Sequence, residues 1–309
     1  MQQIVAQNAI RHLSTKELRK LLHRYRVTDG KGFQLKDHDP TDTAGHLIDK
    51  HHAAALLAGG VEHLSTLQEK LYAQDRWAVL CVFQAMDAAG KDGTIKHVLS
   101  GVNPQGVHVT SFKAPSVEEM RHDFLWRAIR ALPERGKIGI FNRSHYEEAL
   151  VVRVHPDLLE KQHLPHELVT RKIWDKRLTA IVGFEHYLAQ QGTVILKFFL
   201  NLSKEEQKRR FLERLDEPNK NWKFSPADLT ERSYWDEYQR AYEAAIAATA
   251  APHAPWFVVP ADNKWVTRLV VVAAIIDALD RLDLKPQALT ATELANLDEA
   301  RQALETEDC

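Results

Sequence analysis

Five short apolar runs, each bounded by small or polar residues, constrain the fold of this chain more than any other feature. They are WAVLCVFQA (77–85), VHVTSF (107–112), KIGIFN (137–142), TVILKFFL (193–200) and WFVVPA (256–261). Such runs are typical of strands buried on both faces, as in a parallel sheet covered by helices. Between them, helical patterns occupy residues 51–75, 117–131, 166–191, 203–215, 228–249 and 265–283. This alternation predicts a single α/β domain with a mostly parallel, five-stranded sheet.

The predicted domain covers residues 51–285 and is flanked by segments without this alternation. Residues 1–50 are mixed and polar, which indicates an N-terminal arm, and residues 286–309 are predicted to form a C-terminal tail. Residues 204–229 are rich in Lys and Arg and contain a proline turn, so we expect a basic helical lid that projects over a site. The alternative is a solvated helix face whose glutamates neutralise the cations.

The composition is that of a globular protein without a strong overall charge. The 309 residues include 41 Lys plus Arg and 42 Asp plus Glu, which gives a net charge of −1. This balance argues against general attraction to nucleic acid or membranes, so any anion site must be local. Cys81 and Cys309 do not suggest a disulfide scaffold, and neither a signal peptide nor a membrane span is recognisable. We therefore expect a cytoplasmic protein.

The loop after the first run, AMDAAGKD (85–92), indicates a phosphate-binding site. It keeps the second glycine and the lysine of the P-loop pattern G-x-x-x-x-G-K-[ST], at Gly90 and Lys91, but begins with alanine and ends with aspartate. Backbone N–H groups and the following helix would face an anion, and Lys91 would add a mobile cation. The alternative is an unrelated strand-turn-helix in which Gly90 is only a spacer.

The end of this loop lacks the hydroxyl that holds Mg²⁺ in P-loop enzymes. The chain has Asp92 at that position and Thr94 two residues later. Asp87, inside the loop, is the better candidate for a metal ligand because it can face the phosphates directly.

A second polar cluster follows the third run, in NRSHYEE (142–148). This is the place of a Walker B strand, which delivers a polar residue to the carboxyl edge of the sheet, where ligands bind in open α/β sheets. The residue here is the neutral Asn142, followed by Arg143 and Glu147. We therefore expect Asp87 and Glu147 to supply the negative charge. The alternative is a strand end capped by asparagine.

Taken together, these segments resemble the polyphosphate kinase 2 family, P-loop kinases related in fold to thymidylate kinase. The resemblance extends from residue 32 to 280 and rests on motifs in the family's order, which are MDAAGKDGTIKHV, GVNPQGVHVTSFKAPS, HDFLWR, IFNRSHYEEALVVRVHP, RRFLERLDEPNKNWKFSPADL, RSYWDEYQRAYEAA and APWFVVPADNKWVTRLVV. It implies a three-layer P-loop kinase fold and phosphoryl transfer between inorganic polyphosphate and AMP or ADP, which makes ADP and ATP, with Mg²⁺ or Mn²⁺. Family members are often dimers or tetramers, which implies a homo-oligomer.

The resemblance also implies roles for individual residues. The catalytic set is Asp87, Lys91, Asn142, Arg143 and Glu147, with Asp87 as metal ligand. The phosphate and polyphosphate set is Ala88, Ala89, Gly90, Asp92, Gly93, Thr94, Lys96, Arg210, Arg214, Lys220 and Lys223. The nucleotide set is Lys113, Arg127 and Glu147.

The chain departs from the family where many members have an aspartate, at Asn142. With Glu147 in NRSHYEE, this looks like the branch, often called class III, that accepts both AMP and ADP. Glu147 is then either a metal ligand on the nucleotide side or the group that orients the AMP phosphate. Two other interpretations are an ATP-dependent nucleotide kinase and a catalytically silent nucleotide-binding protein.

Overall fold

The computed structural model describes residues 15–45, 50–285 and 291–307, and contains one mixed sheet of six strands. The strands are β1 (Arg26–Val27), β2 (Ala78–Ala85), β3 (Val107–Ser111), β4 (Ile138–Asn142), β5 (Thr193–Asn201) and β6 (Trp256–Pro260). Their order is β1-β6-β5-β2-β4-β3. The five predicted strands form the parallel part, and β1, which was not predicted, pairs antiparallel with β6. A strand of two residues is too short to produce an apolar pattern.

The α-helices alternate with these strands along the chain. They are α1 (Thr15–Tyr25), α2 (Ala53–Gln74), α3 (Lys91–Val98), α4 (Trp126–Arg130), α5 (Val151–Val154), α6 (Asp157–Glu160), α7 (Ile173–Gln190), α8 (Lys204–Asp216), α9 (Pro226–Ser233), α10 (Trp235–Thr249), α11 (Lys264–Asp280) and α12 (Ala291–Glu305).

Two hydrophobic cores make the fold a three-layer sandwich. On one face of the sheet, α1, α2, α3 and α11 pack together over β2, β5 and β6. On the other face, α7 and α10 cover the same strands. The strands are buried on both sides, which explains why their sequences are continuous apolar runs rather than alternating ones.

The N-terminal segment is more integrated than an arm. Leu21, Leu22 and Tyr25 of α1 are buried in the first core, and Leu35 is buried in the second. The amphipathic pattern in this segment covers only a few residues and has many charged residues around it, so its sequence resembles that of a solvated tail. The predicted parts at residues 1–14, 46–49, 286–290 and 308–309, including Cys309, lie outside the described residues.

The helical pattern at 117–131 is interrupted in the structure, whereas the one at 265–283 is confirmed. The predicted helix at 117–131 is instead a 3-10 turn at Glu119–Arg121 followed by the short α4. The Asp123 carboxylate accepts a hydrogen bond from the N–H of Leu125 at 2.9 Å, and this local bond starts a new turn in place of a continuous helix. The last long pattern, α11, is a core helix, since most of its side chains are buried against the sheet and α2.

Among the described residues, the helices are all too short or too polar to cross a membrane.

Candidate active site

The predicted phosphate loop connects β2 to α3 at the carboxyl end of the parallel strands. β2 is buried along its whole length and brings Asp87 to the sheet edge. The backbone then turns through Ala88 and Gly90, whose φ angles are 63° and 94°, and α3 begins at Lys91. Because glycine adopts positive φ without strain, Gly90 suits the tight turn that starts the helix. The Lys91 Nζ donates a hydrogen bond to the carbonyl oxygen of Ala85 at 3.2 Å, across the loop.

Burial and charge together change the proton affinity of Lys91. Burial lowers the pKa of its ammonium group, and the nearby Arg143 guanidinium lowers it further. Asp87, Glu147 and Asp92 act in the opposite direction, but the net direction is a lowered pKa. An ammonium group in this environment gains from the arrival of an anion, since the anion supplies the missing negative charge.

Arg143 connects the loop with the turn that follows β4. Its guanidinium donates hydrogen bonds to Asp87 Oδ1 and Glu147 Oε2, each at 3.0 Å. The negative charge of Glu147 raises the pKa of Arg143 against the effect of burial, and Asp87 adds to this. The backbone of Arg143 has a φ of 60°, and its N–H donates to the carbonyl oxygen of Phe83 in β2 at 3.0 Å. A strained backbone held in this way is common at functional sites.

Asn142 lies beside a different carboxylate from those expected. Its Nδ2 donates to Asp92 Oδ1 at 2.7 Å, whereas Asp87 and Glu147 both bind Arg143. In P-loop enzymes the residue after the lysine is a Ser or Thr and the strand end carries the acid. In this chain α3 carries the acid, at Asp92, and the end of β4 carries the neutral amide, at Asn142. The carboxylate next to position 142 is therefore supplied by Asp92.

Two buried polar side chains, which no sequence pattern singled out, fix the turn at 142–148. Gln84 Nε2 donates to Ser144 Oγ at 3.1 Å, and the same oxygen accepts from the N–H of Tyr146 at 3.1 Å. This places a cap at the start of the 3-10 turn His145–Glu148, which carries Glu147. Gln84 lies near the end of the apolar strand β2 and Ser144 precedes His145, and neither pattern is specific.

A buried ionic cluster lies under this turn. Lys197, in the middle of β5, is fully buried and donates to Glu185 Oε2 at 2.5 Å, the Thr249 carbonyl oxygen at 2.8 Å and Tyr146 Oη at 3.1 Å. Burial lowers the pKa of Lys197. Burial also opposes the ionisation of Glu185, but the Lys197 ammonium reverses this and the pKa of Glu185 is lowered. The lysine within the apolar run TVILKFFL was the available sequence signal for this cluster.

Arg210, predicted to bind phosphate, supports the phosphate loop from behind. Its Nε donates to Glu206, Nη1 donates to the carbonyl oxygens of Ala88 and Ala89, each at 3.0 Å, and Nη2 donates to those of Ala261 and Asp262 at 2.6 and 3.1 Å. A guanidinium has five N–H donors, so all of them are engaged. Because a trans peptide places its oxygen and hydrogen on opposite sides, the N–H of Gly90 points away from Arg210.

Two other predicted lid cations, Lys220 and Arg214, lie close to carboxylates. Lys220 Nζ lies 2.7 Å from Glu213 and 2.8 Å from Glu217, and Arg214 lies 3.6 Å from Asp228. The side chain of Lys223 lies outside the described residues. The alternative interpretation of this segment, in which glutamates neutralise the cations, therefore applies to Lys220 in particular.

The loop, the strand ends and the lid enclose a cavity of about 500 Å³. Most of the predicted residues line it, which are Asp87, Ala88, Ala89, Gly90, Lys91, Asp92, Gly93, Thr94, Lys113, Asn142, Arg143, Arg210, Arg214 and Lys220. The lining also includes Ser111, Phe112, Glu213, Lys264, Thr267 and Arg268, which were not predicted. Among the described residues, Lys96, Arg127 and Glu147 are absent from this lining.

The three predicted nucleotide-binding residues are separated in the structure. Lys113 lines the phosphate cavity. Arg127 donates to the carbonyl oxygen of Lys113 at 2.8 Å and lines an adjacent pocket of about 90 Å³ that includes Glu148 and Arg177. Glu147 lies behind Arg143, in a small pocket with Tyr238 and Tyr242. Arg127 therefore supports the segment that carries Lys113.

The acidic groups do not form a dedicated metal cage. Within residues 15–45, 50–285 and 291–307, groups of three or more His, Cys, Asp or Glu side chains that could hold a metal ion are absent. Mg²⁺ in phosphate-transferring sites is usually bound through one or two carboxylates together with substrate phosphates and water. Asp87, whose carboxylate lines the cavity beside Lys91, fits that type of site.

Comparison with known proteins gives a consistent result. The family model for Polyphosphate kinase 2 (PPK2) matches residues 48–287. The chain is 51% identical over 282 residues to an ADP-polyphosphate phosphotransferase of Rhodopseudomonas palustris, covering 91% of this chain and 97% of the relative. It is 46% identical over 273 residues to an AMP/ADP-polyphosphate phosphotransferase of Meiothermus ruber, covering 88% and 98% of the two chains.

A solved structure has the same fold. The crystal structure of Polyphosphate Kinase 2 from Arthrobacter aurescens superimposes with a TM-score of 0.79 and 42% sequence identity, covering 88% of this chain and 95% of the other. The three-layer α/β arrangement with a mostly parallel sheet is thus shared with that protein.

Proposed function

This chain belongs to the polyphosphate kinase 2 family, and we propose that it transfers the terminal phosphoryl group between inorganic polyphosphate and AMP or ADP, making ADP and ATP. The observation that carries this proposal is the phosphate cavity, in which the buried Lys91 lies next to a loop whose carbonyl oxygens, at Ala88 and Ala89, are bound by Arg210. The similarity to relatives named as polyphosphate phosphotransferases supports the choice of donor.

The reaction requires little covalent chemistry from the protein. An oxygen of the acceptor phosphate attacks the terminal phosphorus of polyphosphate, the bridging P–O bond breaks, and its electron pair stays with the shortened polyphosphate. Since the transition state is loose, the protein's task is to align the attacking and leaving oxygens and to neutralise their charge. An acceptor phosphate is already deprotonated near neutral pH, so a strong general base is unnecessary.

Individual side chains can be assigned to these tasks. Lys91 binds the transferring phosphoryl group, and the backbone N–H groups around Gly90 bind its oxygens. Arg143 is already held by Asp87 and Glu147, and its charge faces the same cavity from the sheet edge. A guanidinium held by two carboxylates is fixed in position before the substrate arrives, which reduces the cost of ordering it.

A divalent cation, Mg²⁺ or Mn²⁺, is part of the proposal. Asp87 would hold it together with phosphate oxygens, and the cation would neutralise charge on the bridging and terminal phosphates. Asp92, held by Asn142, is a second carboxylate at the same edge.

We assign the choice of acceptor to Glu147. Its carboxylate is largely buried and fixes Arg143 from the side opposite the phosphate loop. A change here alters how Arg143 presents its charge to the shorter acceptor, AMP, more than to ADP. Glu147→Gln should lower kcat/KM with AMP more than with ADP, whereas Glu69→Gln, an exposed change on α2, should leave both values unchanged.

The donor is tested by ATP formation from ADP, followed by luciferase, with long-chain polyphosphate as the added phosphate source. The proposal predicts that ATP accumulates in proportion to the polyphosphate added. If nucleotides are phosphorylated only when ATP is supplied as donor, the protein is an ATP-dependent nucleotide kinase. If nucleotides bind but are never converted, it is a silent binding protein.

The protein is further proposed to be cytoplasmic and a homo-oligomer, a dimer or tetramer, as implied by the family resemblance. The leucines of α12, Leu294, Leu297 and Leu304, are exposed and offer an apolar helix face. Light scattering on the purified protein would test the oligomeric state, with a monomer as the contradicting result.

A further inference from the structure

The cations that line the phosphate cavity differ in whether their charged groups are already bound to acceptors of the protein. On the lid wall, the Arg210 donors are all engaged, and Lys220 lies within 2.8 Å of two glutamates. Charges that are already paired gain less from a new anion, because an existing partner must be displaced. The predicted lid cations Arg210 and Lys220 are therefore less free to bind substrate than their charge alone suggests.

The first turns of α11 form another part of the lining, close to the lid residues Arg210 and Glu213. Lys264 and Arg268 are four residues apart, so they lie on the same face of this helix, and both line the cavity. Thr267, also in the lining, turns its hydroxyl to the carbonyl oxygen of Pro260 at 2.8 Å. In the part of the chain that the structure describes, neither charged group has a hydrogen bond or a carboxylate within 4.0 Å, although Glu213 of the same lining acts on Lys264 electrostatically.

The proton affinities agree with this difference. Burial lowers the pKa of Lys264, and Arg210 lowers it further, with smaller contributions from Arg209 and Lys220 against the opposing effect of Glu213. Burial alone lowers the pKa of Arg268. Arg268 therefore bears a buried charge without a carboxylate partner among the described residues, and Glu213 offsets only part of the cost of burying Lys264. A cation in this state is stabilised when an anion binds next to it.

We propose that Lys264 and Arg268 bind the polyphosphate donor, as a cationic track along α11 that continues from the phosphate loop. This inference rests on the proposed function and specifies which wall of the cavity holds the donor. Two cations spaced one helical turn apart, about 5 to 6 Å, suit a linear anion with a repeating charge. The contribution of α11 to the lining consists of Lys264, Thr267 and Arg268, which have no ring to stack on a nucleobase.

The test uses the full-length double variant Lys264→Met/Arg268→Gln in ATP formation from ADP and polyphosphate. Losing charge-assisted contacts of this kind should raise KM for polyphosphate roughly tenfold or more. We expect kcat and KM for ADP to change less than about twofold, since the groups at the transferring phosphate are intact. Lys264→Arg/Arg268→Lys, which keeps both charges, should recover most of the lost affinity.

Two controls separate substrate binding from general effects. Lys70→Met/Arg240→Gln removes the same charge from exposed positions on α2 and α10, and should leave KM for polyphosphate unchanged. The salt dependence of polyphosphate binding gives a readout that a folding defect would not move. Because each cation that binds a polyanion displaces counterions, the slope of log K against log salt should be shallower in the α11 double variant.

The outcomes distinguish this inference from the function on which it rests. If wild-type protein makes no ATP from polyphosphate, the proposed function fails. If wild type is active and the α11 double variant has the same KM and salt slope, the track along α11 is wrong and the function stands. If KM for ADP rises in place of KM for polyphosphate, α11 binds the nucleotide, which also overturns the inference. Thermal unfolding of each variant identifies any that does not fold.

Discussion

The phosphate cavity and the buried cluster around Lys197 both hold cations next to carboxylates, but they differ in what is left unpaired. In the cluster, the three donors of Lys197 all have protein acceptors, and no water-facing charge remains. In the cavity, burial is the main cause of the lowered pKa of Lys91, Lys264 and Arg268, and among the described residues none of their charged groups has a carboxylate within 4.0 Å. A fully paired cation shapes the fold, whereas an under-compensated one is available to a ligand.

Arg210 shows why the distinction follows from contacts rather than from residue type. It lines the cavity, yet its geometry resembles that of Lys197, since every donor is used within the protein. Its position implies that it affects phosphate binding indirectly, by fixing the backbone of the phosphate loop. Substitutions at these cations should therefore affect turnover, stability and substrate binding to different extents.

Removing the charges at the reaction centre should have the largest effect. Lys91→Ala and Asp87→Asn should each reduce kcat by about 10³-fold or more, because each removes a group that stabilises the transferring phosphate or its metal. Initial rates of ATP formation at saturating ADP measure this, with circular dichroism to confirm folding. Near-normal turnover in Asp87→Asn would exclude Asp87 as metal ligand.

Breaking the buried cluster should affect stability rather than substrate binding. Lys197→Met leaves Glu185 buried and unpaired, which should cost about 3–5 kcal/mol of unfolding free energy. Lys197→Met/Glu185→Leu should recover most of that loss, because it removes both charges. Urea unfolding provides the comparison, and KM for polyphosphate should stay at the wild-type value in the folded fraction. An effect confined to KM would contradict the division between the two regions.

Arg210→Lys should separate loop support from phosphate binding. Lysine keeps the charge but cannot donate to four carbonyl oxygens and Glu206 at once. With charge-assisted hydrogen bonds lost at about 1.5–3 kcal/mol each, kcat should fall roughly tenfold to a hundredfold. KM for polyphosphate should change little. A raised KM with normal kcat would mean that Arg210 binds the donor directly.

The smallest expected effect is a pH dependence from Lys91. Its lowered pKa means that free enzyme loses this charge at a lower pH than an ordinary lysine, so kcat/KM for polyphosphate should decline as pH rises through that pKa. Bound phosphate stabilises the charged form, so the decline in kcat should begin at higher pH. Lys91→Arg should remove the alkaline decline, whereas coincident profiles in both variants would assign it to another group.

The same lowered pKa has an opposite effect on stability. Unfolded protein binds the Lys91 proton more tightly than folded protein does, so the Lys91 contribution to the unfolding free energy should rise with pH between the folded and unfolded pKa values. Denaturant unfolding of wild type and Lys91→Met at increasing alkaline pH measures this contribution as the difference between the two.

The sequence predicted the parallel strands and the phosphate loop well because both depend on local pattern. Apolar runs indicate strands that are buried on two faces, and a glycine followed by lysine after such a run indicates a turn at the sheet edge. Strand β1 was missed because two residues carry no periodicity.

The charges were harder to predict because their partners are distant in the chain. Nothing in the lid sequence indicates that Arg210 reaches the carbonyl oxygens of residues 88, 89, 261 and 262. Likewise, Lys264 and Arg268 follow β6 and belong to a helix whose apolar sequence indicates core packing. Only the fold shows that they line the cavity. Sequence identifies the number of cations, whereas pairing decides their role.

Time-resolved ³¹P NMR of the purified protein with Mg²⁺, AMP and long-chain polyphosphate, in the absence of ATP, would follow donor and acceptor in one experiment. We expect ADP signals to appear first and ATP signals to follow, while terminal phosphates of shorter chains accumulate. ADP that forms and is not converted would contradict the dual acceptor. Spectra without new nucleotide signals until ATP is added would contradict polyphosphate as the donor.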